Sequence, residues 1–241
     1  MMMRLRTLKE ESFGILKMVI VISVMFGAEA ADKNDVFSPC SDAKVERGDG
    51  FSFGVAFSNK DSFFLNLGPQ LSPCDSRLNL SGTGAQLAVF RPQVDQISFL
   101  TINGSSFDPA KSGGFMVAFA GHQYAAISSP IMFSDNSHTI TSFTLIMEFK
   151  EGTLENLIWK SFGCEGCSGQ SVCLNNQDCA VAVSECQNNG GGGCNIGIQL
   201  AFTGTDKNLD VLNSWYQVRN LRPYSLPSLF SDLPDSIIAT S

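Results

Sequence analysis

The chain has 241 residues, 44% of them apolar and 16% charged, with a formal net charge of −7. Ordinary soluble chains carry roughly 25% charged residues, and disordered chains carry more charge and fewer large apolar groups, so disorder is excluded. The acidic balance argues against a nucleic-acid partner, because phosphate contacts need clustered Lys and Arg.

The first thirty residues have the order of a secretory leader. Arg4, Arg6, Lys9 and Lys17 make a basic start, Met18 to Gly27 a ten-residue, mostly apolar run, and Ala28-Glu29-Ala30 a small-x-small cleavage site. The run is about half the roughly 20 residues that span a bilayer as a helix. No later run is long enough, so no stable membrane insertion is expected. Residues 1–30 read as a signal peptide and 31–241 as one secreted domain.

Period two dominates the chain after residue 30. Phe51, Phe53, Val55 and Phe57 alternate with Ser52, Gly54, Ala56 and Ser58, which predicts a strand with a large apolar face and a small outer face. Gly50-Phe51-Ser52-Phe53-Gly54 matches the G-x-S-x-G of a nucleophile elbow, but that elbow needs a sharp turn at the Ser and a helix after it. Here the alternation runs on to Phe57, so Ser52 reads as a strand residue. Leu87 and Val89, then Ile97, Phe99 and Thr101, then Phe115, Val117 and Phe119 repeat the pattern. Thr139 to Phe149 and Leu154 to Phe162 flank Lys150-Glu151-Gly152-Thr153 and predict a hairpin, with Gly152 free to take positive φ. Ile196, Ile198, Leu200 and Phe202 form another alternating run, and Trp215 to Leu221 reads as a last strand. Turn residues cluster between the runs. The expected fold is all-β, an antiparallel sandwich or jelly roll, in a single domain.

All eight cysteines come after residue 30: Cys40, Cys74, Cys164, Cys167, Cys173, Cys179, Cys186 and Cys194. An even number in an exported chain reads as disulfides. The grouping pairs Cys40 with Cys74 and keeps the last six among themselves, with their connectivity open. These six make residues 163–194 a cross-linked insertion between two core strands. Their spacing, C-x2-C-x5-C-x5-C-x6-C-x7-C, lacks the second close pair of a zinc ribbon. Neither a metal nor a cofactor is expected. Glu165 within Cys164–Cys167 also weighs against a redox pair, which needs a cationic neighbour or a helix N-terminus.

Candidate chemistry is sparse. Glu148 alternates with apolar neighbours and heads a set of acids, with Glu151, Glu155, Asp95 and Asp206, that two-carboxylate glycoside hydrolysis would draw on. His122 and His138 lie in loops, the usual place of catalytic groups, with no nucleophile marked beside them. Asp206-Lys207-Asn208-Leu209-Asp210 starts like a calcium loop, but Val211 and Gln217 break its rule, and a hairpin turn is expected instead. Trp215 and Tyr216, on opposite faces of the expected strand, are the candidate sugar-binding pair. Tyr124 and Tyr224 are further stacking residues, and Trp159 is assigned to the core. Asn79-Leu80-Ser81 and Asn103-Gly104-Ser105 are sequons, so Asn79 and Asn103 are candidate glycosylation sites.

Four stretches carry a resemblance. They are Ser41 to Gly54 (SDAKVERGDGFSFG), Gln86 to Pro92 (QLAVFRP), Gly197 to Lys207 (GIQLAFTGTDK) and Leu212 to Tyr216 (LNSWY). Through them the chain resembles the plant secreted proteins labelled EXPP-type, over nearly all of its length after residue 30. The resemblance implies a plant source and an extracellular, cell-wall setting, and it carries over no activity or site residue. The expected function is a non-enzymatic wall protein that binds or organises polysaccharide. The alternative is a wall-acting hydrolase, of glycosidase or esterase type, using Glu148 or His122.

Overall fold

The computed structural model describes residues 32–66, 68–104, 112–122, 126–165, 167–169, 171–188 and 194–221. All of these but Asp32 belong to the compact unit Lys33–Ser241. The leader, Tyr124 and Tyr224 lie outside the described residues.

The strands in chain order are β1 (Phe53–Ser58), β2 (Gln86–Phe90), β3 (Ser98–Ile102), β4 (Phe115–Ala120), β5 (Ala126–Ile127), β6 (Ile131–Met132) and β7 (His138–Thr139). Then come β8 (Ser142–Lys150), β9 (Thr153–Lys160), β10 (Val172–Leu174), β11 (Asp178–Ala182), helix α1 (Val183–Asn188), β12 (Ile196–Thr205), β13 (Val211–Leu212) and helix α2 (Ser214–Leu221). The first sheet has the order β2-β1-β4, with β5 and β6 pairing opposite ends of β4. The second has the order β9-β8-β12, with β3 and β13 on the far side of β12. A small sheet, β10-β11-β7, stands apart.

The fold is all-β, and one hydrophobic cluster joins the inward faces of both large sheets. Phe53, Val55, Phe57, Met116 and Ala118 come from the first, and Leu145, Met147, Phe149, Ile198, Leu200 and Phe202 from the second. Phe51 meets Phe149 edge-on at 5.1 Å between ring centroids, and Phe57 meets Phe133 at 5.4 Å. Each such ring taken from water contributes roughly 1.5–3 kcal/mol. The sandwich is closed along one side, where β9 packs on β5. Trp159 Nε1 donates to Ser128 Oγ at 2.8 Å, and the same oxygen accepts from Ala118 N at 2.9 Å. Trp159 is therefore half-buried at the seam, with Phe143 against its ring.

The hairpin forms at the expected place. Glu151 (φ 51°) and Gly152 (φ 79°) both take positive φ, as a two-residue primed turn demands. The turn is wedged as well as tight: Gly152 O accepts from Val45 N at 2.9 Å, and a Cβ on Gly152 would lie 2.5 Å from Val45 O.

Three expectations change. The sandwich is not wholly antiparallel, because β8 and β12 run parallel from Gly197↔Ser142 to Gly204↔Phe149. After the hairpin, β9 occupies one edge of β8, and β12 joins the other in the same direction. A parallel partner needs a long crossover, and residues 161–195 supply it, so the cysteine-rich segment is that connection.

Leu87, Val89 and Phe99 face outward, not into the core. They are 60%, 56% and 50% exposed, while Ala88, Phe90 and Leu100 pack on the main cluster. β2 and β3 are edge strands, and their small or alternate residues meet the interior.

The small face of β1 is covered rather than open. Ala56 packs with Phe63, Leu80, Val117 and Phe119, and Ser52 and Ser58 are buried. Phe63 and Leu80 sit in the layer that the Cys40–Cys74 disulfide braces; Phe63 lies inside the closed loop and Leu80 just beyond it. That cross-link is worth about 4 kcal/mol in the chain-entropy model.

Candidate functional site

All eight cysteines are in disulfides: Cys40–Cys74, Cys164–Cys173, Cys167–Cys179 and Cys186–Cys194. The two-group division holds, and no thiolate is left for zinc. Among the described residues no set of three His, Cys, Asp or Glu could hold a metal, and no helix is long and apolar enough to cross a membrane.

Trp215 and Tyr216 sit on α2 and not on a strand. Gln217 N bonds Asn213 O at 3.2 Å, and the first turn is held from a distant loop. Asp95, at the left-handed φ of 66°, accepts from Asn213 N at 2.7 Å and Ser214 N at 2.8 Å. A carboxylate on the free amides of a helix start both caps it and favours its dipole. That outside cap overrides the strand propensity of Trp and Tyr. Ser214 Oγ accepts from Phe202 N at 2.8 Å, and Val218 is buried, so α2 is docked on β12. On a helix adjacent residues are not on opposite faces. Trp215 is half-buried, while Tyr216 is 59% exposed with the Arg219 guanidinium 5.4 Å from its ring centre.

Among the described residues an open groove of about 850 Å³ is present. Asp42, Ala43 and Lys44 line one wall, and Thr153, Leu154, Glu155 and Asn156 at the start of β9 line the other. Val45 bonded to the β8–β9 turn fixes the two walls side by side. Neither catalytic candidate lines the groove, but each is hydrogen-bonded to a residue that does, Glu148 through its side chain and His122 through its backbone. Glu148 accepts from Asn156 Nδ2 at 2.6 Å, and His122 N donates to Asp42 Oδ1 at 2.9 Å. Glu155 faces Lys150 at 3.7 Å. The neighbourhood of His122 also holds Asp75, whose carboxylate Arg77 grips at 2.7 Å and holds down to about 2. The groove residues Asp42, Lys44, Thr153 and Asn156 carry no motif. They come from segments more than 100 positions apart, and only folding joins them.

The remaining acids are structural. Asp206, 1% exposed, is opposed in ionising by its burial. Amides of Arg47 (2.9 Å), Asp210 (2.9 Å) and Asn208 (2.8 Å) outweigh that and hold its carboxyl below the ordinary range. It closes the β12–β13 turn, so these residues form the expected hairpin turn and not a calcium loop. Asp95 also pairs with Arg47 Nε at 3.0 Å. Glu151 lies in the hairpin turn. Asp135 accepts from the amides of Ser137 and His138, and His138 Nδ1 lies 3.8 Å from it. Ser52 Oγ receives Arg91 Nη1 at 2.9 Å, a buried strut and no nucleophile.

Both sequon asparagines, Asn79 and Asn103, are exposed surface residues. Asn79 Oδ1 accepts from Ser81 Oγ and Gly82 N, each at 3.1 Å.

A family model, described as Uncharacterised protein DDB_G0273449, matches the chain over residues 12–139 and 127–233. No curated protein and no solved structure matches it.

Proposed function

The chain belongs to the DDB_G0273449 family, whose description assigns no activity, and we propose, from the site and from the resemblance to plant secreted proteins, that it is an exported, non-enzymatic protein of the plant extracellular matrix that binds wall polysaccharide. One observation carries the binding: Tyr216 presents an exposed ring, backed by Arg219, on a short helix anchored to the sandwich. An aromatic body with a polar tip stacks on a sugar ring while its hydroxyl stays hydrated. The Asp95 cap holds the start of the helix that carries the ring, which lowers the entropy lost on binding. Export is supported by complete cysteine pairing, and the surface positions of Asn79 and Asn103 fit glycosylation there. In affinity gels across a panel of wall polysaccharides, the protein is expected to be retarded by at least one polymer. Tyr216→Ala should abolish most of the retardation and Trp215→Ala should weaken it. Unchanged mobility of the wild type in every gel refutes the proposal.

A second reading rests on the groove. His122 and Glu148 are hydrogen-bonded to its lining residues Asp42 and Asn156, so a polysaccharide hydrolase would work there, with Glu148 as the acid. It predicts release of soluble sugar from the same panel, lost in Glu148→Gln and in His122→Ala while the protein stays folded. Intact polymer after prolonged incubation with wild type removes this reading.

A further inference from the structure

Four of the six half-cystines of the crossover make two sets of short distances. Cys164 is bonded to Cys173 and Cys167 to Cys179, with Cα separations of 5.4 and 5.3 Å. Cys173 and Cys179 are also direct register partners across the β10–β11 hairpin. Opposed residues of an antiparallel pair lie about 4.5–5.5 Å apart with both side chains on one face, within the span of a disulfide. On the other side, Cys167 N donates to Cys164 O at 3.1 Å and closes a four-residue turn. Such a turn holds its ends within about 7 Å. The same four sulfurs therefore admit a second pairing, Cys164–Cys167 with Cys173–Cys179.

We infer that this quartet is a thiol-exchange site, at which an external thiolate switches the crossover between the two pairings. Cys173 is the exposed member, and the other three are half-buried. The thiolate attacks Cys173 Sγ, forms a mixed disulfide there and expels the Cys164 thiolate. Held by the turn, Cys164 attacks Cys167 Sγ and expels the Cys179 thiolate. Cys179, opposite Cys173, attacks Cys173 Sγ and releases the external thiol. Three exchanges run with no net oxidation, and the thiol is returned, as thiol–disulfide chemistry allows.

The two pairings are mechanically different. In the observed one, the loop at 164–169 is bolted to both strands of the hairpin. In the other, loop and hairpin are each closed on themselves. The local pairing closes shorter loops, which an unfolded chain forms more readily, so native contacts hold the observed one. Ser161 Oγ and Gly163 N on Gln177 O, and Phe162 N on Asp178 at 3.0 Å, are those contacts. They join the base of the loop to the hairpin, and the exchange does not involve Cys40–Cys74 or Cys186–Cys194.

Two measurements on the full chain test this. In Cys164→Ser/Cys167→Ser, alkylation under denaturing conditions should find no free thiol, because Cys173 and Cys179 bond each other; two free thiols overturn the inference. Because that variant can fail to fold, folded wild type is also incubated with reduced glutathione in one arm and a reduced Cys-x-x-Cys oxidoreductase in the other. Peptides are then mapped without reduction. A linked Cys173–Cys179 pair should appear while Cys40–Cys74 persists. Appearance in the second arm alone assigns the switch to an enzyme thiol, and appearance in the first to a small thiol. Persistence of only the original pairs in both arms overturns it.

Discussion

Gly54 shows how one side chain, or its absence, decides the packing of a whole face. It stands opposite Phe119 in the β1–β4 register, and a Cβ there would lie 2.2 Å from the Phe119 ring. Phe119 is 2% exposed and packs with Ala56, Phe63, Leu80 and Val117, so the ring has little room to yield. Gly54→Ala is expected to destabilise by about 1–3 kcal/mol, the usual cost of overpacking. Thermal denaturation should show a drop of several degrees. Glycine here is visible in the sequence only as one small residue among Ser52, Ala56 and Ser58. That it serves a ring 65 positions away is not visible there, because the ring arrives through strand pairing.

Among the elements, α2 is the least locally determined. Its eight residues (SWYQVRNL) contain three strand formers, Trp215, Tyr216 and Val218. An isolated helix of that length is marginal in water. What forms it is Asp95, tied to its first amides and to Arg47, together with Ser214 hydrogen-bonded to Phe202. Asp95→Ala is expected to cost about 2 kcal/mol through the lost cap and unpaired amides, read by urea denaturation. Asp95→Asn, which keeps an acceptor, should recover part of it. If Tyr216 is the sugar contact, Asp95→Ala should also weaken retardation in affinity gels without touching the ring. The crossover is an opposite case. Its cysteine spacing announces cross-links, and cross-links form, but the pairing depends on the β10–β11 register, which spacing alone leaves open.

Across the fold, the N-terminal segment is tied down by charge. Glu46 receives Lys33 Nζ at 2.5 Å, Lys207 Nζ at 3.2 Å and Asn208 Nδ2 at 3.3 Å. Hydrogen bonding to Lys33, then to Lys207 and Asn208, pulls its carboxyl from an ordinary 4.5 down to about 2. Asp49, 2% exposed, takes the amides of Lys33 and Glu46 at 3.0 and 2.9 Å. A carboxyl whose folded value is depressed contributes stability above its unfolded value and loses it as pH falls through the folded one. Stability from Glu46, and from Asp75 on Arg77, should thus be complete above about pH 4.5 and fade toward pH 2. Melting curves taken from pH 6 to pH 2 should show that decline. Glu46→Gln should make it shallower, since the Glu46 contribution is then absent at every pH while that of Asp75 remains.

Local signals carry far in this chain. Alternation announces β-structure, Gly152 marks the turn, and cysteine grouping separates two cross-linked regions. Each of these depends on neighbours in sequence. Alternation, however, distinguishes two faces without saying which one meets the core, and so Leu87, Val89 and Phe99 point outward. Nor does it reveal strand direction, and the parallel β8–β12 pair appears only once a crossover has room to form. The groove walls, the cap on α2 and the cover over β1 are all contacts between distant segments. Their free energy exists only after the backbone has closed, which is why the folded state alone decides them.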